Sequence, residues 1–143
     1  ANIGYAVGDG GVILKTGSNK ATAVQLELSY APEVLTNVLV EQGGFFTKPV
    51  VLINIVDSKN GRISYALGIS PADSGKVGQG TVAILTFKTI KTAAQTTTIS
   101  LLPKSLVTAE GADQTVLKAT TSATITVGQL PVTPSPIISS PLR

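Results

Sequence analysis

The sequence predicts an all-β protein: two antiparallel sheets packed face to face as a sandwich or jelly roll. Three observations carry this. Apolar side chains recur with period two along most of the chain. The extended runs are rich in Val, Ile and Thr, which suit a pleated strand. Turn signals built from Gly, Pro and Asn return every ~8–12 residues, the spacing of a sandwich. A chain of 143 residues holds one such domain, and a 43% hydrophobic content supplies a two-layer core without metals or disulfides.

The individual strands follow from the pattern. Val24, Leu26 and Leu28 alternate with Gln25, Glu27 and Ser29, so the two sets face opposite sides. Val51, Ile53 and Ile55 lead into Asp57-Ser58-Lys59-Asn60-Gly61-Arg62, followed by Ile63, Tyr65 and Leu67. This is the clearest hairpin, with Asn60-Gly61 supplying the positive φ of a tight turn. Val82-Ala83-Ile84-Leu85-Thr86-Phe87 is apolar on both faces and reads as a central strand. Thr-rich strands are predicted at 96–102 and 122–127, and further strands at 11–15 and 34–40. If Val38 and Val40 face the core, Leu39 faces out. Only 31–37 and 102–109 have room for a helical turn. Residues 68–80, with Pro71, Gly75, Gly78 and Gly80, form one long loop crossing between sheets. After Gly128 the alternation stops. Leu130-Pro131-Val132-Thr133-Pro134-Ser135-Pro136 reads as a semi-rigid extended linker ending in the apolar pair Ile137-Ile138. The predicted organisation is a sandwich over 1–128 and a Pro/Ser-rich tail over 129–143, without internal repeats.

Composition excludes several functions. Charged residues make up only 13% of the chain, about half the usual share of ~25%. The neutral, hydroxyl-rich remainder suits an extracellular β protein. The net charge of +3 comes from eleven scattered Lys and Arg residues. Lys88 and Lys91 come nearest to a patch and no aromatics interleave with them, so nucleic acid is not an expected partner. The chain has no Cys, Met, Trp or His. Thiol nucleophiles and imidazole bases are therefore missing. A glycosidase needs paired carboxylates, but Asp9, Glu27, Glu33, Glu41, Asp57, Asp73, Glu110 and Asp113 fall mostly in turns. The chain is read as no enzyme. Asp57, Ser58 and Asn60 are close enough to suggest calcium, yet they are ordinary turn chemistry. Val7-Gly8-Asp9-Gly10-Gly11 is glycine-rich, but no helix follows it to hold a phosphate. No metal and no cofactor are assigned. No apolar run approaches the ~20 residues of a membrane span. Ala1 is not a translational start, so a leader is expected to lie outside this segment.

A set of motifs then points to a family. Leu26-Glu27-Leu28-Ser29-Tyr30-Ala31-Pro32-Glu33-Val34-Leu35 resembles the cohesin signature, in which Leu-Ser-Tyr-Asp-Pro precedes Val-Leu; Ala31 stands where the family has Asp. Gly43-Gly44-Phe45-Phe46 falls at the family's Gly-Phe-Phe corner, and Asn60-Gly61-Arg62-Ile63-Ser64 is similar to its mid-domain hairpin. Gly80-Thr81-Val82-Ala83-Ile84-Leu85-Thr86-Phe87-Lys88 matches a later Gly-x-x-Ala-x-x-x-Phe-Lys strand. The likeness spans about 7–127. It implies a secreted, cell-surface jelly roll of about nine strands that binds a calcium-loaded dockerin module on one flat sheet face. It also implies scaffold proteins whose modules are joined by Pro/Thr linkers like this tail.

Protein binding is thus the expected function. The resemblance places Gln25 and Glu27 on the binding sheet, with Ser64, Ala66, Val82, Ile84 and Thr86 expected to share their face. A second reading is a structural subunit of an extracellular filament or pilus. The first strand looks short, since only residues 1–5 precede Ala6-Val7-Gly8-Asp9. An open edge would accept a strand from a neighbouring copy, with Ile3, Tyr5, Ile137 and Ile138 as exchange residues. A third reading is a carbohydrate-binding module with a polysaccharide partner. Its stacking platform would fall to Tyr5, Tyr30 and Tyr65, which are dispersed; Tyr30 and Tyr65 read as core or corner residues.

Overall fold

Alternation is clearest at 21–29, where Val24, Leu26 and Leu28 point to one side and are fully buried, while Gln25, Glu27 and Ser29 point to the other. Burying each such leucine contributes roughly 1.5–3 kcal/mol. A computed structural model of the chain describes residues 3–8, 11–90 and 95–127, and among these there are eleven strands and no helix. The strands are β1 (Ile3–Gly8), β2 (Gly11–Lys15), β3 (Ala21–Ser29), β4 (Leu35–Gln42), β5 (Val50–Asp57) and β6 (Arg62–Gly68). They continue with β7 (Gln79–Thr89), β8 (Gln95–Leu101), β9 (Leu106–Ala109), β10 (Leu117–Thr121) and β11 (Ala123–Val127). The predicted tail over 129–143 lies outside the described residues.

Two sheets stack as a jelly-roll sandwich. One has the order β10-β1-β2-β7-β4, and the other β11-β8-β3-β6-β5, with β9 also pairing with β3. All pairings are antiparallel except β1 with β10. The core is the space between the sheets. Val12, Leu14, Leu35, Val82 and Ala83 enter from the first sheet, and Leu26, Leu28, Ile63, Tyr65 and Leu67 from the second. Both segments with room for a helical turn hold a single turn and then become strand: Val34 and Leu35 N–H donate to Ala31 O before β4, and Ser105 N–H donates to Leu102 O before β9. Their apolar residues have a sheet to join, and pairing there satisfies the backbone as fully as a helical turn would.

The hairpin between β5 and β6 is as predicted in place and differs in register. Asp57 pairs with Arg62, so Val56 lies opposite Ile63, Asn54 opposite Tyr65 and Ile55 opposite Ser64. Ile53 and Ile55 therefore face the side opposite to Ile63, Tyr65 and Leu67, while Val51, before the register shift, still lies opposite Leu67: Ile63, Tyr65 and Leu67 are buried, while Ile55 is 61% exposed. The turn is held by Asp57, whose carboxylate accepts from the Lys59 and Asn60 backbone N–H groups at 3.2 Å and from Asn60 Nδ2 at 2.9 Å. These bonds, that from the Asn60 side chain foremost, hold the Asp57 carboxyl below its ordinary value of 3.8. Gly61 takes a left-handed φ of 66°. A Cβ there would strike the Tyr30 carbonyl oxygen, to which the turn is docked by Tyr30 N–H donating to Gly61 O at 2.9 Å.

Strand β3 changes neighbours along one side. Its start pairs with β9 and its end with β8. At the switch, the Leu102 N–H donates to Glu27 O at 2.7 Å, and the buried Ser105 Oγ accepts from Glu27 N–H at 3.0 Å. Ser105 thus replaces a strand for one residue. The long loop over 69–78 is pinned in a similar way: Thr16 Oγ1 accepts from Gly78 N–H at 2.7 Å, and the Glu110 carboxylate accepts from Gly75 N–H.

Replacing Gly61 by Ala is expected to cost about 2–3 kcal/mol in urea unfolding, the sum of a left-handed backbone penalty and a displaced hydrogen bond. Ser105→Ala leaves the Glu27 N–H without its acceptor and is expected to cost about 1–3 kcal/mol in the same measurement. Because the folded pKa of Asp57 is depressed, its contribution to stability is complete above its unfolded value and is lost as pH falls through the folded one. An NMR titration should place the Asp57 carboxyl below 3.8, and Asn60→Ala should move it upward.

Candidate partner-binding face

The outward side of β3 carries Gln25, Glu27 and Ser29, and the register sets Gln25 opposite Ala66, Glu27 opposite Ser64 and Ser29 opposite Arg62 on β6. Glu27 is the centre of a small polar network. Ser64 Oγ donates to Glu27 Oε1 at 2.7 Å, and Gln25 Nε2 donates to Glu27 Oε2 at 3.1 Å. Both carboxylate oxygens are thereby aimed, and the carboxylate is held half-buried on a rigid strand rather than on a loop. Apolar groups flank the network. Ile55 and Ile53 on β5 lie opposite Ser64 and Ala66, and Leu106 on β9 lies opposite Gln25. A polar centre with apolar margins, on a sheet presented by backbone pairing, is suited to docking a protein surface.

The seven residues expected on one face divide between two. Gln25, Glu27, Ser64 and Ala66 share the outer side of the β11-β8-β3-β6-β5 sheet. Ala66 is nonetheless buried, lying between Gln25 on β3 and Ile53 on β5. Val82, Ile84 and Thr86 belong to β7, in the other sheet. Ile84 and Thr86 are exposed there, opposite Glu41 and Leu39 of β4. Val82 is 0% exposed: the register between β2 and β7 breaks beside it, where Val12 pairs with Ala83 but Ile13 with Thr81, and the extra residue turns inward. Leu39 faces outward at 63% exposure, as the alternation of Val38 and Val40 predicts.

The exchange residues stand apart from this face. Ile3 pairs with Leu117, and Tyr5 with Leu14 and Thr120, so β1 completes its own sandwich between β2 and β10, where an open edge was expected. Ile137 and Ile138 lie outside the described residues. Two of the tyrosines proposed for sugar stacking are in the core. Tyr30 and Tyr65 are buried, and burial foremost raises both hydroxyl pKa values. No cluster of metal-ligating side chains is found among the described residues, and no helix there is long and apolar enough to cross a membrane.

Sequence reasoning missed Ile53 and Ile55 as surface residues. Their alternation matched that of Val51, but β5 carries one extra residue at Leu52, between the pairs Val51–Leu67 and Ile53–Ala66. Counting back from the four-residue turn would have found Ile55 opposite Ser64.

Comparison with known proteins agrees with this architecture. None of the curated proteins matches the sequence. Solved structures do match in fold. The non-cellulosomal cohesin of the archaeon Archaeoglobus fulgidus shares 20% identity at a TM-score of 0.61, over 88% of this chain and 89% of that one. The third cohesin of ScaC from Acetivibrio cellulolyticus, solved in complex with the ScaB dockerin, shares 15% identity at a TM-score of 0.67, over 88% and 96%. The OlpC cohesin of Clostridium thermocellum, in complex with Doc435, shares 16% identity at 0.68, over 90% and 92%. The family model of the cohesin domain matches residues 10–127. With the sandwich, the docked Asn60-Gly61 hairpin and the matched span together, this chain belongs to the cohesin family.

Proposed function

We propose that this module recognises a dockerin-like protein through the outer face of β8, β3, β6 and β5, as a non-catalytic connector of a secreted or cell-surface scaffold. The observation that carries the reading is the Glu27 carboxylate, held by Ser64 and Gln25 between apolar margins. A carboxylate aimed in this way costs a partner little ordering on binding and selects a hydrogen-bond donor at a defined position. The apolar margins supply the area from which water is excluded around it. Support comes also from the neighbours in fold, among which the ScaC and OlpC cohesins are solved with dockerins. The Pro-rich stretch over 129–143 fits the same reading as a spacer to a further module.

Calorimetry against a panel of calcium-loaded dockerin modules tests this. Binding is expected for at least one member of the panel. Ile55→Glu, at an exposed position, should weaken it at least tenfold, about 1.4 kcal/mol. Glu27→Gln should weaken it by a similar factor, while Ile84→Glu on the opposite sheet should leave it unchanged. Binding to none of the panel, or equal losses from Ile55→Glu and Ile84→Glu, would refute the proposal.

A further inference from the structure

Strand β5 ends its sheet: among the described residues it pairs with β6 alone, leaving one backbone edge open to solvent. Across the sandwich it touches β4 through Asn54, whose Nδ2 donates to Val40 O at 3.2 Å. Edges of this kind normally carry lysine, proline or short, broken pairing that discourages added strands. The other sheet's edge at β4 follows that rule, with Glu41 and Gln42 exposed, a left-handed Asn37 and broken register after Thr36. Strand β5 does not. Pro49-Val50-Val51-Leu52-Ile53-Asn54-Ile55-Val56 contains no charge. Val50, Val51, Leu52 and Ile55 are all exposed, Leu52 by 66%. A partner of the edge therefore meets apolar side chains and unpaired backbone together.

The charges that bound the run indicate which partner fits. Lys48 precedes it and Asp57 closes it. A second copy, laid antiparallel about a two-fold axis between Leu52 and Ile53, sets Lys48 of each copy beside Asp57 of the other and Val50 beside Ile55. The bulge makes that alignment consistent with the pleat. Ile55 lies five positions after Val50, an odd offset that would put them on opposite faces of a regular strand. The extra residue at Leu52 restores the parity: Val50 pairs with Gly68 and Ile55 with Ser64, on the same outward side of β6. We propose that β5 is a self-pairing edge, through which two copies of this chain join into one continuous sheet with reciprocal Lys48–Asp57 contacts. This edge adjoins the partner face and shares Ile55 with it, but its backbone pairing does not depend on that reading. One consequence follows for it: the outer faces of both copies become neighbours on a single surface, so a divalent partner gains avidity.

Sedimentation equilibrium of the full chain over a concentration series tests the pairing without any other protein present. A monomer–dimer equilibrium is expected. Leu52→Lys places two like charges on either side of the axis and should abolish the dimer, with the far-ultraviolet spectrum unchanged because the position is exposed. Lys48→Asp opposes Asp57 with a like charge and should raise the dissociation constant at least tenfold. Ile84→Lys, on the other sheet, should leave it unaltered. A chain that stays monomeric at every concentration overturns the proposal, including one whose β5 amides exchange slowly because another segment of the same chain covers them. A dimer that survives Leu52→Lys, or is lost with Ile84→Lys, places the contact elsewhere and overturns it equally.

Discussion

The pairing of β3 with β6 is the constraint on which both sides of the molecule depend. One register sets Leu26 beside Tyr65 and Leu28 beside Ile63 in the core, and the same register sets Glu27 beside Ser64 and Gln25 beside Ala66 on the surface. A slip of one residue would expose the leucines and bury the carboxylate. Burial of the apolar set therefore holds the polar set in place. The geometry of the Glu27 network is inherited from hydrophobic packing on the other side of the strand.

Around that constraint the strand irregularities decide what the surface displays. The bulge in β7 draws Val82 into the core and leaves Ile84 and Thr86 outside. The bulge in β5 adds Leu52 to an edge that is already apolar. Bulges change the parity of everything beyond them, so a single extra residue reassigns a whole half-strand to the other face. Ser105 is a related device: at the break between β8 and β9 a hydroxyl accepts the Glu27 N–H that no strand reaches. The backbone beneath Glu27 is thereby satisfied, and the side chain above it is steadied.

The likeness to cohesins extends over nearly the whole sandwich at identities of 20% or less in the structures compared above. Such divergence is tolerable because the fold asks for alternation, turn chemistry and core volume, which many sequences provide. Ala31 in place of the family's Asp illustrates the point. The turn over 31–34 is still closed by the backbone N–H groups of Val34 and Leu35 donating to the Ala31 carbonyl, both at 3.0 Å. Surface identity has no comparable protection. A module of this family can thus keep the sandwich while its faces and edges acquire different partners.

By itself the sequence determined the class of fold, the hairpin at Asn60-Gly61, the inward set of β3 and the outward Leu39, because each depends on neighbours within a few positions. It also located Gln25, Glu27 and Ser64 on strands. Only the tertiary structure decided which strands share a sheet. It separated β7 from β3 and β6, placed β1 between β2 and β10, and brought Ser105 beneath Glu27 from 78 residues away. The physical reason is that alternation encodes which side of a strand is apolar but not which strand lies next to it. Pairing partners and bulges are chosen by the packing of two whole layers, and no local pattern contains that information.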